Sequence, residues 1–485
     1  METIRIIDIL KQVDIDLLLK QKYLKAVLAD LLYEYENERK ILNMVNNSTN
    51  VVKRLADSNN KLIELENLNQ ELLSFGLNEA AIKWALDIWA GVLNINQIDR
   101  NIRHDANLSL SLGGAFTIAL FNNDYVYVWG NNRWGQLGVG NKIDYIKPQD
   151  ITASFNLGLN EKVNAVAASF RSSYLLTDQG RLFAWGNNEY GQLGDETMIN
   201  SNLPMDITNR FKLATSEKII KISAGGFHAL LLTNQNRIFT WGNNQYGQLG
   251  DGTYINKSKP INITPNCLLK NGEFIQELYA GLGHSLFITT VGRIFTWGNN
   301  KYGQLGVENL IKENVPLDIT QNIPFINGES IGDCSVGSLH SLIATSQGRL
   351  YTFGNNEDGQ LGDNTLNNSN IPVEISRYFN PQERIIKVSA GRNFSIALTS
   401  LGHVYTWGNN KKGQLGINDF ITNSKGPIDI TNKLVQNENE TIVDIFTGSS
   451  SNHAYAVSSQ NNIYAWGNNE YGQLGESSSL DIYVK

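Results

Sequence analysis

From about residue 105 onward, stretches of five or six residues alternate apolar and polar positions, and clusters of glycine, asparagine and serine separate them. A half-buried strand has that period, because its successive side chains point to opposite faces. In one copy, Lys218-Ile219-Ile220-Lys221-Ile222-Ser223 predicts a strand, Ala224-Gly225-Gly226-Phe227-His228 a turn, residues 229–233 a second strand and residues 237–241 a third. Short turns such as Thr289-Thr290-Val291-Gly292 and Ser346-Gln347-Gly348 join the second strand to the third. The chain then loops out and returns through Pro260-Ile261-Asn262-Ile263, with counterparts at Pro148, Pro204, Pro316, Pro372 and Pro427. Proline at the head of a strand predicts an edge position, where no ladder donor is lost. Each copy reads as four antiparallel strands.

Residues 1–100 show the helical period instead, and about five short helices are expected there. Between Asp16 and Ile41 the apolar positions Leu17, Tyr23, Leu24, Val27, Leu28, Leu31, Leu32 and Tyr35 recur at three and four residues, and the helix should end near Asn46-Asn47-Ser48-Thr49. Lys61 to Phe75 carries Leu62, Leu65, Leu68, Leu72 and Phe75 on one stripe, Gly76 stops it, and Asn78 caps a last helix from Glu79 to Leu93. That helix turns Trp84, Ile88, Ala81, Ala85 and Trp89 to one side. These positions predict a small all-α domain with its own core, with a docking groove or a dimer surface as the second reading.

The strand units repeat. Trp-Gly-Asn-Asn-x-x-Gly-Gln-Leu-Gly begins at Trp129, Trp185, Trp241, Trp297, Phe353, Trp407 and Trp466, at intervals of 56, 56, 56, 56, 54 and 59 residues. Seven copies of a four-stranded unit describe an all-β seven-bladed β-propeller over residues 105–485, preceded by the helical domain of residues 1–100. A linear stack would carry altered end repeats, whereas the first and last copies keep the full motif. The glycines suit turns, the asparagines can bond their own backbone, and the tryptophans, with Phe353, should plug the space between blades. The tail Ser479-Leu480-Asp481-Ile482-Tyr483-Val484 resembles the Pro-x-Asp-Ile strand without its proline, and is expected to complete the last blade.

Composition narrows the function. Of 485 residues, 41% are hydrophobic and 18% charged, as in soluble globular proteins, and 43 glycines against 9 prolines favour tight turns over disordered linkers. The net charge of −7 divides into −3 for residues 1–100 and −4 for the remainder, so neither part has the basic excess that nucleic acid binding uses. Two cysteines, Cys267 and Cys334, lack a Cys-x-x-Cys pairing, which fits a reducing, cytoplasmic setting. Charge interrupts Met1 to Asp8 too early for a signal peptide, and no stretch approaches the roughly 20 apolar residues of a membrane span. A monomer without membrane attachment is expected; secretion by an unrecognised route stays open.

Ala-Gly-x-x-His, as in Ala224 to His228, together with the ten-residue string, closely resembles the repeats of the regulator of chromosome condensation family. The resemblance covers about residues 105–485 and implies a seven-bladed propeller. Members act as guanine-nucleotide exchange factors for small GTPases, as chromatin-associated proteins, or as bacterial inhibitors that cap an enzyme with one propeller face. The front segment, through Ala29 to Tyr35 and Glu79 to Trp89, is similar to a helical region of bacterial multidomain proteins and suggests a bacterial source. In exchange factors of the family, acidic and histidine side chains before the second strand face the GTPase, and an insertion projects as a wedge. Here His228, His284, His340 and His453 match, while Phe116, Ser172 and Phe394 replace the histidine elsewhere. The residues just before them include none that is acidic, and the repeat spacing leaves no room for a large wedge.

No catalytic set emerges. The four histidines lie on different blades and cannot converge to the roughly 2 Å bonds of one zinc ion, so they are expected to bond within the fold. Asp195, Asp251 and Asp363 follow Gly-Gln-Leu-Gly without the alternating oxygens of a calcium loop, and read as turn formers. No metal or cofactor is expected, and no glycine-rich phosphate loop with a following lysine occurs. The two free positions of the string are Arg133 and Trp134, Glu189 and Tyr190, Gln245 and Tyr246, Lys301 and Tyr302, Glu357 and Asp358, Lys411 and Lys412, and Glu470 and Tyr471. With Arg171, Phe227 and Arg392 they should form a rim whose aromatics and mixed charge suit a protein partner. The alternative for the rim is a structural role, since tyrosine is common there in the family's repeats. A non-enzymatic interaction module is the first reading of function, and exchange on a small GTPase the second.

Overall fold

The alternating stretches form seven sheets of four strands each, in sequence order within every sheet. The computed structural model describes residues 108–417, 422–435, 440–475 and 482–484, with Leu28, Leu42, Leu68, Ala85, Leu86 and Trp89. The chain divides into two units, residues 1–106 and 107–485. In the first, those six residues are helical and buried. The remaining positions of the expected helices, with Gly76 and Asn78, lie outside the described residues.

In the second unit, blade 1 consists of β1 (Leu108–Leu112), β2 (Phe116–Phe121), β3 (Tyr125–Gly130) and β4 (Tyr145–Asp150), each antiparallel to the next. Blades 2 to 7 follow at residues 163–206, 219–262, 275–318, 331–374, 385–429 and 442–484. First strands surround a central channel lined by Leu112, Ala168, Ala224, Ala280, Val336 and Thr447. Second strands are buried along their whole length, so both of their faces carry apolar side chains, hydroxyls or a leading histidine rather than alternating with polar, wet positions.

Two expectations change. The repeat prolines stand inside the outer strand, as Pro260 does in Lys257–Asn262, not at its head. The register there slips between Thr240 and Gly242, and a bulge on an edge strand tolerates a residue without an N–H. The tail does add the outer strand of blade 7, but Ile482–Val484 pairs with Ile463–Ala465 in parallel, where the other six outer strands are antiparallel. Lacking the proline, this strand keeps every amide as a ladder donor, which leaves a straight pairing open to it.

The apolar core sits between blades. One cluster joins Tyr174, Leu176 and Leu182 of blade 2 to Ala229, Leu231, Phe239 and Trp241 of blade 3, and comparable clusters fill the next seams. Each repeat tryptophan is fully buried and its indole N–H reaches back one blade. Trp185, Trp241, Trp297, Trp407 and Trp466 donate to the carbonyls of Gln136, Gln192, Gln248, Gln360 and Gln414 at 2.8–2.9 Å. The same bond closes the ring, from Trp129 of blade 1 to Gln473 of blade 7, at 2.9 Å. Phe353 occupies the equivalent buried place without a donor. Gly250 shows why the string ends in glycine: its φ is +73°, and a Cβ there would lie 2.8 Å from Trp297 Nε1.

Candidate functional site

At one end of the propeller lie the turns between first and second strands and the long loops between third and fourth. Blade 3 shows how the string holds its loop. Gln248 donates to Asn243 Oδ1 (2.6 Å) and accepts from the Tyr246 amide (2.9 Å), while Asn244 Oδ1 accepts from the Leu249 amide (2.9 Å). Asn244 also donates to Asp251 (2.9 Å), whose carboxylate takes the Thr253 amide (2.9 Å), so this aspartate is occupied in a turn. Asp195 and Asp363 make the same contacts. The defined letters are consumed in fixing the loop, and the two free positions project from it.

Those positions divide into groups. Arg133 and Trp134 meet Arg171, Arg392 and Tyr471 around a cleft of about 240 Å³, with Phe170, Asn131, Asn452 and Asn468 completing its wall. The Arg171 guanidinium lies 4.8 Å from the centres of both the Trp134 and Phe170 rings. Burial lowers the pKa of Arg171 from its ordinary value, and Arg133 adds to that while Glu189 opposes it. Tyr190, Phe227, Gln245, Tyr246, Lys301 and Tyr302 surround a second cleft of about 370 Å³, floored by Leu282 and Leu339. The clefts adjoin through Phe170 and Phe227, whose rings are 5.5 Å apart, and Phe227 and Tyr190, at 5.2 Å.

The other rim residues join neither cleft. Lys412 pairs with Glu470 at 3.6 Å with both side chains more than half exposed, Lys411 and Glu189 are exposed, and Asp358 is engaged by Asn393 and Asn423. Phe170, Leu282 and Leu339 were not among the expected partner contacts. Their signal is positional: each stands in the turn just before the second strand, where other repeats carry Gly226, Gly283 or Ser338.

His228, His284, His340 and His453 are fully buried at the seams. Their Nε2 atoms lie 2.8–3.1 Å from the hydroxyls of Ser285, Ser341, Ser395 and, across the closing seam, Thr117. Ser285 spends its one proton on the Gln248 carbonyl (2.9 Å), so His228 Nε2 carries the hydrogen and its Nδ1 is bare, facing Gly225 without a partner. Burial pushes each ring's pKa down to about 3. A serine beside a histidine suggests an activated nucleophile, but these pairs are sealed from solvent and the rings are poor bases. Among the described residues, no group of three or more His, Cys, Asp or Glu is placed to hold a metal ion.

Along the channel, Lys221 pairs with Glu277 and Lys387 with Asp444. Asp333 accepts the Val388 amide (2.8 Å), and burial pushes its carboxyl up to about 6. At the opposite end, Arg237, Arg293 and Arg349 bind the buried carboxylates of Glu217, Glu273 and Glu329, which tie each connection between blades. The Arg349 hydrogen bond draws the Glu329 carboxyl down to about 2. This glutamate, twenty residues before each arginine, recurs with the period of the string. No described helix is long and apolar enough to cross a membrane.

Known proteins resemble this chain in sequence and in fold. A family model described as RCC1-like domain matches residues 71–324, and models of the Regulator of chromosome condensation (RCC1) repeat match residues 347–398, 402–455, 385–414 and 442–473. The chain is similar to the ultraviolet-B receptor UVR8 of Arabidopsis thaliana, 29% identical over 374 residues that cover 77% of this chain and 80% of that protein. It is similar to the secretion-regulating guanine nucleotide exchange factor of Mus musculus, 28% identical over 375 residues, with 74% and 77% covered. Among solved structures, Prp20p of Saccharomyces cerevisiae, studied with its binding to Gsp1p and histones, shares the fold at a TM-score of 0.60 and 24% identity, covering 70% of this chain and 80% of that one.

Proposed function

The chain belongs to the regulator of chromosome condensation family of RCC1-like domains, and from that membership we propose that its propeller is a non-enzymatic interaction module docking a protein partner on the end that carries the two clefts. The observation that carries this reading is their convergence: tyrosine, phenylalanine, tryptophan and arginine from six blades meet on one continuous surface. These are the residue types that dominate binding energy in protein interfaces, since they bring large area at low entropic cost. The fold spends its other polar groups internally, on the loop asparagines, the seam histidines and the buried glutamates. Both cysteines are free and buried, which suits a reducing cytoplasm. Residues 1–100 would supply a second, helical docking module. Replacing Tyr190, Tyr246 and Tyr302 together by alanine should weaken partner capture at least about tenfold with an unchanged melting curve; undiminished capture overturns the reading.

A second reading, exchange on a small GTPase, is favoured by the likeness to a protein named as an exchange factor. Release of a fluorescent guanine nucleotide from a panel of small GTPases separates the two. Acceleration by substoichiometric protein supports exchange, and stoichiometric binding without acceleration supports the interaction module.

A further inference from the structure

The arginine cleft differs from the sites of Arg237, Arg293 and Arg349 in what its guanidiniums lack. Arg237, Arg293 and Arg349 each hold a buried carboxylate. Among the described residues, no carboxylate lies within ion-pair distance of Arg133, Arg171 or Arg392, although they come from three blades to one opening. Arg171 is the most constrained: it is half-buried and stacked on two rings, which fixes the plane of its guanidinium and leaves its edge free to donate. The neighbouring cleft presents the rings of Tyr190, Phe227, Tyr246 and Tyr302 with Leu282 and Leu339, alongside side-chain amides and Lys301. From the Arg171 guanidinium to the Phe170 ring is 4.8 Å, and from there to the Phe227 ring 5.5 Å, so at most about 10 Å separates the cation from the second cleft. An extended peptide covers that span in roughly three residues.

We propose that the arginine cleft receives the carboxylate of an aspartate or glutamate on an extended segment of a partner protein, while an apolar or aromatic side chain about three residues along that segment enters the tyrosine cleft. The inference rests on the reading of this end as the docking face. Charge complementarity selects the acidic residue, and the contiguous ring path selects a peptide over a free anion. A nucleic acid strand is disfavoured because Glu189, Glu357 and Glu470 share the rim and would repel its phosphates.

The test is a phage-displayed library of random dodecapeptides panned against the full chain. Enriched peptides should carry Asp or Glu about three residues from Phe, Tyr, Trp or Leu. Changing that acid to its amide should weaken binding about tenfold, and Arg171→Gln or Arg133→Gln, the latter at an exposed residue, each with an unchanged melting curve, should do the same. Enrichment without an acidic residue overturns the inference. So does binding indifferent to both arginine variants, or displacement of the peptides by a lower concentration of single-stranded DNA. Peptides lost on Tyr190→Ala with Tyr246→Ala but indifferent to the arginines overturn the carboxylate alone and leave the docking face standing. Peptides retained by all these variants overturn both.

Discussion

At the scale of single residues, the repeat's buried polar groups set how stability depends on pH. Each seam histidine has a folded pKa of about 3, below the ordinary 6.5 that it regains on unfolding. The unfolded chain therefore binds the proton first, and stability falls as pH drops through 6.5 and goes on falling to about 3. At pH 5 the loss is about 2 kcal/mol for each histidine. Asp333, raised to about 6 by burial, acts oppositely as a single group. Glu329, lowered to about 2, loses its contribution only below about 4.5. Melting temperature should begin to fall just below pH 6.5, well before the carboxylate window; a flat profile from pH 7 to 5 contradicts the assignment. The seam tryptophans give a second test. Trp297→Phe creates in blade 4 what Phe353 is in blade 5, and should cost about 1–2 kcal/mol by chemical denaturation, since Gln248 keeps the Ser285 hydroxyl. The sequence marks tryptophan, glycine and histidine by their recurrence, but the partner of each histidine stands a whole repeat away. His228 and Ser285 are 57 positions apart, and only the ring brings them together.

At the scale of elements, strand period and turn residues were legible wherever one face is wet, as in Ile219–Ala224. They were less so in the second strands, where burial on both sides erases the alternation. Pro260 was legible as an edge marker, yet its place within the strand depends on a register slip that no local pattern records. The tail was recognisable as the outer strand of blade 7 by its Asp-Ile pair, while its direction depends on pairing with Ile463–Ala465. Removing residues 476–485 strips that blade of its outer strand and should lower the melting temperature by roughly 4 °C for about 3 kcal/mol lost. An unchanged melt would show that the Trp129 and Thr117 bonds to blade 7 suffice to close the ring.

At the scale of the whole molecule, the repeat makes seven equivalent loops, and the proposed docking surface lies where they stop being equivalent. The free positions of the string lie at the end of the propeller that carries the two clefts, but only some of them line a cleft. Lys412 and Glu470 pair with each other, Asp358 is held by Asn393 and Asn423, and Lys411 is exposed, whereas Phe170, Leu282 and Leu339 complete the clefts from another turn. Which of seven loops converge is set by the order of blades around the axis and by small differences in their turns. The most direct test of the docking face is quantitative affinity capture from the native cell with three proteins: the unaltered chain, the Tyr190, Tyr246 and Tyr302 triple alanine variant, and Val291→Ser with Leu401→Ser on exposed turns of the opposite end. A partner retained by the first and third and lost by the second is the predicted result. A partner retained by the tyrosine variant and lost by the opposite-end variant would contradict it.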